Sequence, residues 1–539
     1  MMRLRLSFRL SWPRRQAPPG PAARLLLAGF CALLPALVTG LVLSGGSVAQ
    51  AGADTISAPI ALRPAGRPDL SAADRARIAA VLAPPADLAR AQAFEAMPGG
   101  AATARADARH RPAANLGPED EQRFHLGEAL FSKLWVTAPS STQATDGLGP
   151  LYNARSCATC HVGGGGGVAL SAGPVPPSLL LRLARAPETP QEQAALESGM
   201  ALTFDDPVYG HQLQTAAVPG LVAEGQLRLA FKTQPVTLSG GRVVLLRRPM
   251  VAIDGPGYGP LDPRTRPSAR IAQPLVGLSL IEAIHPDDIL ALANDPVLKA
   301  RGLAGRPALL RDPQSGETVL GRFGWKAQAA SLKAQAADAF SNDIGISTPL
   351  APDSHGDCTA AETACRSAPD GVQPRYGRYE ASQTVLDLVT FYAGHLAPLP
   401  RPRAAMPQVL AGKALFSAMG CADCHHPRFV TRRDAGDPAD AFQLIWPYSD
   451  FLLHDMGADL SGGHPVGLAG AQDWRTPPLW GIGRRMAEPA AGAFLHDGRA
   501  RTPEEAVLWH GGEGDAARKA YLAATEKDRA DLLAFLESL

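Results

Sequence analysis

Charge of one sign, aromatic rings and long apolar runs are all scarce in this chain. Its 52 Lys and Arg stand against 51 Asp and Glu, leaving a formal charge of +1 over 539 residues. A nucleic-acid binder would carry a basic surplus or stripe, so no nucleic-acid partner is expected. Aromatic residues are 6% of the total while Gly (54) and Pro (49) are plentiful, which predicts long stretches of loop. Only residues 25–43 form an extended apolar run. It follows a leader carrying Arg3, Arg5, Arg9, Arg14, Arg15 and Arg24, and it precedes small residues ending in Ala49-Gln50-Ala51. That order is the export-signal pattern, with residues 1–51 removed after Ala51. A retained anchor is the alternative, because a run of about 20 apolar residues can span a bilayer; Pro35 and the A-x-A ending favour cleavage. The expectation is a mature periplasmic chain with no stable membrane span.

Cysteine is also rare, at seven. Cys31 leaves with the signal, and the other six fall into three pairs. Two pairs sit in Cys157-Ala-Thr-Cys160-His161 and Cys421-Ala-Asp-Cys424-His425, the C-x-x-C-H pattern of c-type haem attachment. The spacing follows from the chemistry. Two thiols on one turn can each add to a haem vinyl group, and the next histidine then sits under the iron as proximal ligand. A redox dithiol or half a zinc site would also use C-x-x-C, but the two motifs lie too far apart in sequence to read as one zinc ligand set. Two covalently bound haem c groups are therefore expected, with Cys157, Cys160, Cys421 and Cys424 as attachment points and His161 and His425 as iron ligands. The third pair, Cys358 and Cys365, reads as a structural disulfide in an oxidising compartment, stabilising by roughly 2–3 kcal/mol on chain entropy.

The chain also repeats itself. Gly127-Glu-Ala-Leu-Phe131 precedes the first haem motif and Gly412-Lys-Ala-Leu-Phe416 the second. Residues 325–335 line up with residues 496–506, so that Trp325 falls on His496 and Ser331 on Thr502. Ser331 and Thr502 read as N-caps, the second strengthened by Pro503 and Glu505. Residues 52–115 form an N-terminal extension with a helix expected over 72–93, either wrapped on the surface or mobile. Residues 116–400 then make a first haem domain with an insertion at about 170–310, and residues 401–539 a second. Within the insertion, residues 226–233 and 241–248 read as a β-hairpin around Ser239-Gly-Gly241.

With these motifs in place, the chain resembles the di-haem oxidoreductase family that carries a peroxidase or thiol oxidoreductase label, related to bacterial di-haem cytochrome c peroxidases. The resemblance rests on Gly147-Leu-Gly-Pro-Leu-Tyr-Asn153, Gly321-Arg-Phe-Gly-Trp-Lys326, residues 449–457, Trp474-Arg-Thr-Pro-Pro-Leu-Trp480, Phe494-Leu-His-Asp-Gly-Arg499 and Glu504-Glu-Ala-Val-Leu-Trp-His510. It covers about residues 115–539. It implies a mainly α fold of two cytochrome c-type haem domains with a β-containing insertion in the first, and calcium between the domains as a candidate further cofactor. It also implies hydrogen peroxide as the oxidant and a periplasmic protein as electron donor. The thiol label fits poorly, since thioether formation consumes both cysteines of each motif.

The resemblance also assigns roles. The family's methionine ligand to the second haem falls at His510, predicting a low-spin haem held by His425 and His510, with Met456 as rival ligand and His496 near a propionate. A histidine that blocks the first haem in relatives would fall between Val162 and Pro177, where this chain has none; an open site is expected, with His211 and His285 as other candidate ligands. Trp325 and Gln335 match the tryptophan between the haems and the distal glutamine. The catalytic acid falls near Asp343 in Asp343-Ile344-Gly345, shifted and shortened, and Lys326 replaces the usual aspartate. Two other functions stay open: a di-haem oxygenase or protein-modifying enzyme, and a pure electron-transfer cytochrome.

Overall fold

The computed structural model describes residues 60–105, 111–488 and 492–539. The expected signal segment, residues 1–51, lies outside them. Helices take 32% of the chain and strands 16%, and the strands form several small sheets. The expectation of a mainly α chain made of two cytochrome c-type haem domains is thereby corrected: this is a mixed fold of short helices, two- and three-stranded sheets and long loops. The physical reason is the abundance of Gly and Pro, which ends helices early and leaves room for short strand pairs.

Seven helices organise the site: α1 (Ala72–Leu82), α2 (Pro118–Ser132), α3 (Leu332–Ala339), α4 (Gln383–Gly394), α5 (Pro407–Ala418), α6 (Pro503–Trp509) and α7 (Glu526–Glu537). Helix α1 starts on a Ser71–Asp74 capping box and stops well short of residue 93, because Pro84 and Pro85 cannot continue it. The extension does not hang free over its described residues. Arg67 pairs with Asp288, Asp74 with Arg433, and buried Glu95 with Arg401 and Lys413.

Four strands matter. Strand β1 (Leu179–Ala184) pairs antiparallel with β4 (Arg266–Ile271), and β2 (Gln226–Thr237) pairs with β3 (Val243–Asp254). The β2–β3 hairpin falls where expected but runs further on both sides of its Gly240-Gly241 turn, where both glycines have positive φ. In β1 the period of two buries Leu179, Leu181 and Leu183, and turns Leu180 and Arg182 the other way. No helix among the described residues is long and apolar enough to cross a membrane.

Helices α2 and α4 pack together, as do α5 and α7, and each pair crosses at a glycine. A Cβ at Gly127 would lie 2.2 Å from the Leu388 carbonyl oxygen, and one at Gly412 would lie 2.0 Å from that of Asp531. At both crossings the phenylalanine from the repeated segment meets an aromatic ring of the partner helix: Phe131 with Tyr392 at 5.0 Å, and Phe416 with Phe535 at 5.1 Å. These contacts seed the two largest apolar clusters.

Candidate haem and redox site

Each motif is held in the same local frame. Cys157–Cys160 form one helical turn after Ser156, and Cys421–Asp423 a tighter turn after Gly420, whose φ of 83° suits glycine. Phe131 lies 6.2 Å from the His161 ring and Phe416 lies 6.2 Å from the His425 ring. Both rings are fixed through Nδ1, His161 on the Gln273 carbonyl at 2.8 Å and His425 on the Tyr448 carbonyl at 2.9 Å. His510 is held in the same way, its Nδ1 on the Ala506 carbonyl at 2.7 Å. Burial lowers all three imidazoles below their usual range, His425 to about 4, helped by the like charge of nearby His510. A neutral ring with Nδ1 committed to a carbonyl offers Nε2 as a metal ligand.

Both motifs and all three histidines line one cavity of about 980 Å³. Trp325, Gln335, Asp343, Met456 and His496 line it as well. The structure therefore brings the motif residues, His510, Trp325, Gln335, Asp343 and the candidate His211 to one cavity, whereas the candidate His285 is not among the lining residues and instead caps a helix, its Nδ1 accepting from Asp287 N. Trp325 donates Nε1–H to the Ile271 carbonyl at 2.7 Å. Asp343 accepts from Gln212 Nε2 at 2.8 Å, and burial raises its carboxyl above the usual range. His496 stacks on Trp474 with centroids 3.7 Å apart.

The residues fit two haems. The four motif thiols are unpaired with one another, whereas Cys358 and Cys365 are joined. Burial pushes the Cys157 and Cys421 thiols up to about 12, the opposite of a reactive redox dithiol. Gln335 Oε1, His464 Nε2, Trp480 Nε1 and Arg485 Nε are buried, belong to residues lining the cavity, and have no protein partner. Buried polar groups are rarely left unmatched, so these atoms call for polar groups on an occupant. Arg270, Arg475 and Arg485 line the cavity and form no ion pair among the described residues. Burial lowers them to about 9, about 10 and about 10, and haem propionates would supply the missing anions. Sequence reasoning missed this cationic lining, because its members come from segments far apart in the chain. Among the described residues, two clusters have metal-ligand spacing, Cys424–Asp450–His454 and Asp205–His211–Asp357. Each contains a histidine, and neither is the all-oxygen set that calcium takes.

The repeat seen in the sequence is repeated in three dimensions. Phe323 bridges to Ala329 and Phe494 to Ala500, closing the same small loop twice. Ser331 caps α3 through Ala334 N and Thr502 caps α6 through Glu505 N. Counting onward from Trp325 and His496 in this register, His510 at the end of α6 corresponds to Ala339 at the end of α3. Both line the cavity.

Two C-x-x-C-H motifs, three oriented neutral imidazoles and an uncompensated cationic lining around one cavity define a protein that holds two haems for redox chemistry. The chain belongs to the di-haem oxidoreductase family: the family model described as "Di-haem oxidoreductase, putative peroxidase" matches residues 98–539. No curated protein sequence matches the chain.

Proposed function

We propose that this chain is an exported di-haem c-type peroxidase that reduces hydrogen peroxide at the first motif and takes up electrons at the second. In this reading Cys157, Cys160 and His161 would hold one haem, and Cys421, Cys424, His425 and His510 would hold the other. The haems would supply one-electron redox chemistry and a place for peroxide to bind. The chain's own residues do the rest. Arg270, Arg475 and Arg485 would neutralise propionates, Trp325 would carry electrons between the two motifs, and Gln335 and Asp343 would offer polar contacts to peroxide. Each turnover takes one hydrogen peroxide, two protons and two electrons from a periplasmic one-electron donor protein, and gives two waters.

One observation carries the assignment of roles: Ala339 stands where His510 stands in the repeat. A methyl group cannot ligate iron, which supports an open first site and a second site closed by His510. The test is an absorption and EPR spectrum of the oxidised holo-protein before and after one equivalent of hydrogen peroxide. One high-spin and one low-spin haem, with the high-spin signal lost on addition, is the expected result. Two low-spin haems indifferent to peroxide would leave an electron carrier and overturn the proposal.

A further inference from the structure

Beside the first motif lies a pair of side chains that the reading above does not use. His211 lines the cavity together with Arg182, Asp205, Asp338 and Asp343, and its side chain is 24% exposed. Behind it Asp357, 9% exposed, accepts from His211 Nδ1 at 2.8 Å, from His211 N at 2.8 Å and from Gln212 N at 3.0 Å. One carboxylate thus fixes the backbone and the ring at once, with Nδ1 committed and Nε2 left to the cavity side. The approach depends on Gly210, whose φ is 64° and where a Cβ would lie 2.5 Å from the Asp357 carboxylate. The strand-like segment bearing His211 is docked on β1, with Leu183 N on the His211 carbonyl at 2.7 Å and Leu213 N on that of Leu181 at 2.9 Å.

Asp357 is the residue before Cys358, and the Cys358–Cys365 disulfide closes the loop that follows it. Thr359 in that loop donates Oγ1–H to the Val208 carbonyl at 2.7 Å. The loop is therefore tied to the His211 segment through Thr359 as well as through the carboxylate itself.

We propose that His211, oriented by Asp357, is the proton-transfer residue of the open haem site, and that the Cys358–Cys365 loop is the brace that positions Asp357. The proposal rests on the peroxidase reading. In the step it supplies, the peroxide O–O bond breaks while the His211 Nε2–H proton passes to the departing oxygen, which leaves as water. The second proton and both electrons are those already counted for the turnover, and solvent at the exposed edge of the ring restores its proton. Asp205, His211 and Asp357 also have cation-ligand spacing. Asp357, however, is already committed to three N–H donors, and Arg182, paired with Asp338 at 3.2 Å, adds positive charge nearby; both disfavour a metal there.

Burial alone would lower His211, but the charge and hydrogen bond of Asp357 outweigh it, with Asp338 adding and Arg182 opposing, and the ring is pushed up to about 9. Asp205 and Asp343 also face the ring and act in the same direction as Asp357. The donor form is thus present at neutral pH and is lost as pH rises through about 9.

Fluoride titrated into the oxidised holo-protein and followed by absorption separates this proposal from the peroxidase reading, because fluoride on an open ferric haem accepts a hydrogen bond without any turnover. In the wild type, affinity should fall as pH rises through about 9. His211→Ala should weaken binding on the order of tenfold, the effect of one charge-assisted hydrogen bond, and remove that pH dependence. Its peroxide reaction should slow by about 100-fold or more and recover with added imidazole, a rescue that a merely structural histidine would not show. Asp357→Asn, which keeps the side-chain shape, should move the pH break downward. Unchanged fluoride affinity and pH response in both variants would overturn the proposal. So would conversion of a low-spin haem to high-spin in His211→Ala, which would make His211 an iron ligand. A wild type that binds fluoride in a His211-dependent way yet ignores peroxide would keep the proton-transfer pair and remove the peroxidase reading.

Discussion

Around the first motif, α2 and α4 cross at Gly127, with Phe131 set against His161 at 6.2 Å and an interplanar angle of 56°. Around the second, α5 and α7 cross at Gly412, with Phe416 against His425 at 6.2 Å and 55°. Each half then sends a small bridged loop into a capped helix that returns to the cavity. The halves diverge at the end of that helix, where one presents Ala339 and the other His510. They diverge again in their surroundings. Gln335, Arg182, Asp338 and Asp343 gather near the first motif, and α7 with Leu532 and Leu536 closes over the second. In the proposed reading a shared frame would hold the motif histidine in both halves, and function would be set by what the frame carries opposite. A site meant to react needs an open position and proton donors; one meant to relay electrons needs both axial positions filled and little reorganisation.

The sharpest way to break this comparison is to exchange the two residues. Ala339→His should give the first haem a sixth ligand, convert its high-spin signal to low-spin, and slow the peroxide reaction on the order of 100-fold, the effect of roughly 3 kcal/mol of ligand displacement added to the barrier. His510→Ala should do the reverse at the second haem, creating a second high-spin signal. EPR and stopped-flow absorption read both. If Ala339→His leaves the spectrum and the rate untouched, the register between the halves does not set the ligands.

A smaller effect separates two tryptophans that line the same cavity. Trp474 is stacked on His496, and the Arg270 guanidinium lies 4.4 Å from its ring centroid. A cation over the ring face opposes loss of an electron from it. Trp325 has no such neighbour among the described residues, and its N–H is held by a carbonyl. Trp325→Phe should therefore slow electron transfer between the haems by about tenfold, equivalent to roughly 1.4 kcal/mol, while Trp474→Phe leaves it within about twofold. Equal slowing in flash-reduction kinetics would remove Trp325 from the route.

How far the sequence revealed this arrangement varies with the distance over which each feature is specified. The haem motifs and the N-caps were legible because their chemistry demands fixed local spacing. The repeat was legible through Trp325 and His496, and it already contained the Ala339–His510 correspondence. The fold class was not. The hairpin was expected to end near Thr233 and Arg248, just short of Pro235 and Pro249, yet both prolines sit inside the observed strands. Proline is tolerated there because β3 is an edge strand, and β2 meets its third strand only at Arg228 and Leu229. Two-residue strands such as Leu151–Tyr152 are too short for any alternation to register. Arg270, His464 and Arg485 were missed for a different reason: nothing near them in sequence hints at a cavity. His211 was expected only as a candidate iron ligand; its pairing with Asp357 was missed, because only the folded chain places the two together.

The equivalence of the two frames can be tested without reference to any haem chemistry. Gly127 and Gly412 occupy the same place in their crossings, and each would drive a Cβ to within 2.2 Å or 2.0 Å of a backbone carbonyl oxygen. Backbone cannot swing aside as a side chain can, so the helices must separate and the Phe131–Tyr392 or Phe416–Phe535 contact must loosen. Gly127→Ala and Gly412→Ala should each destabilise the protein by about 1–3 kcal/mol, the range for overpacking a tight contact. The helix propensity gained by alanine, roughly 0.5–1 kcal/mol, offsets part of that cost equally in both. The two losses should therefore agree within about 0.5 kcal/mol, and the double variant should show their sum, since the crossings belong to separate apolar clusters. Denaturant unfolding of the holo-protein measures all three. A tolerated Gly127→Ala beside a damaging Gly412→Ala would mean that the first crossing can yield where the second cannot, and the halves would then differ in rigidity as well as in ligands.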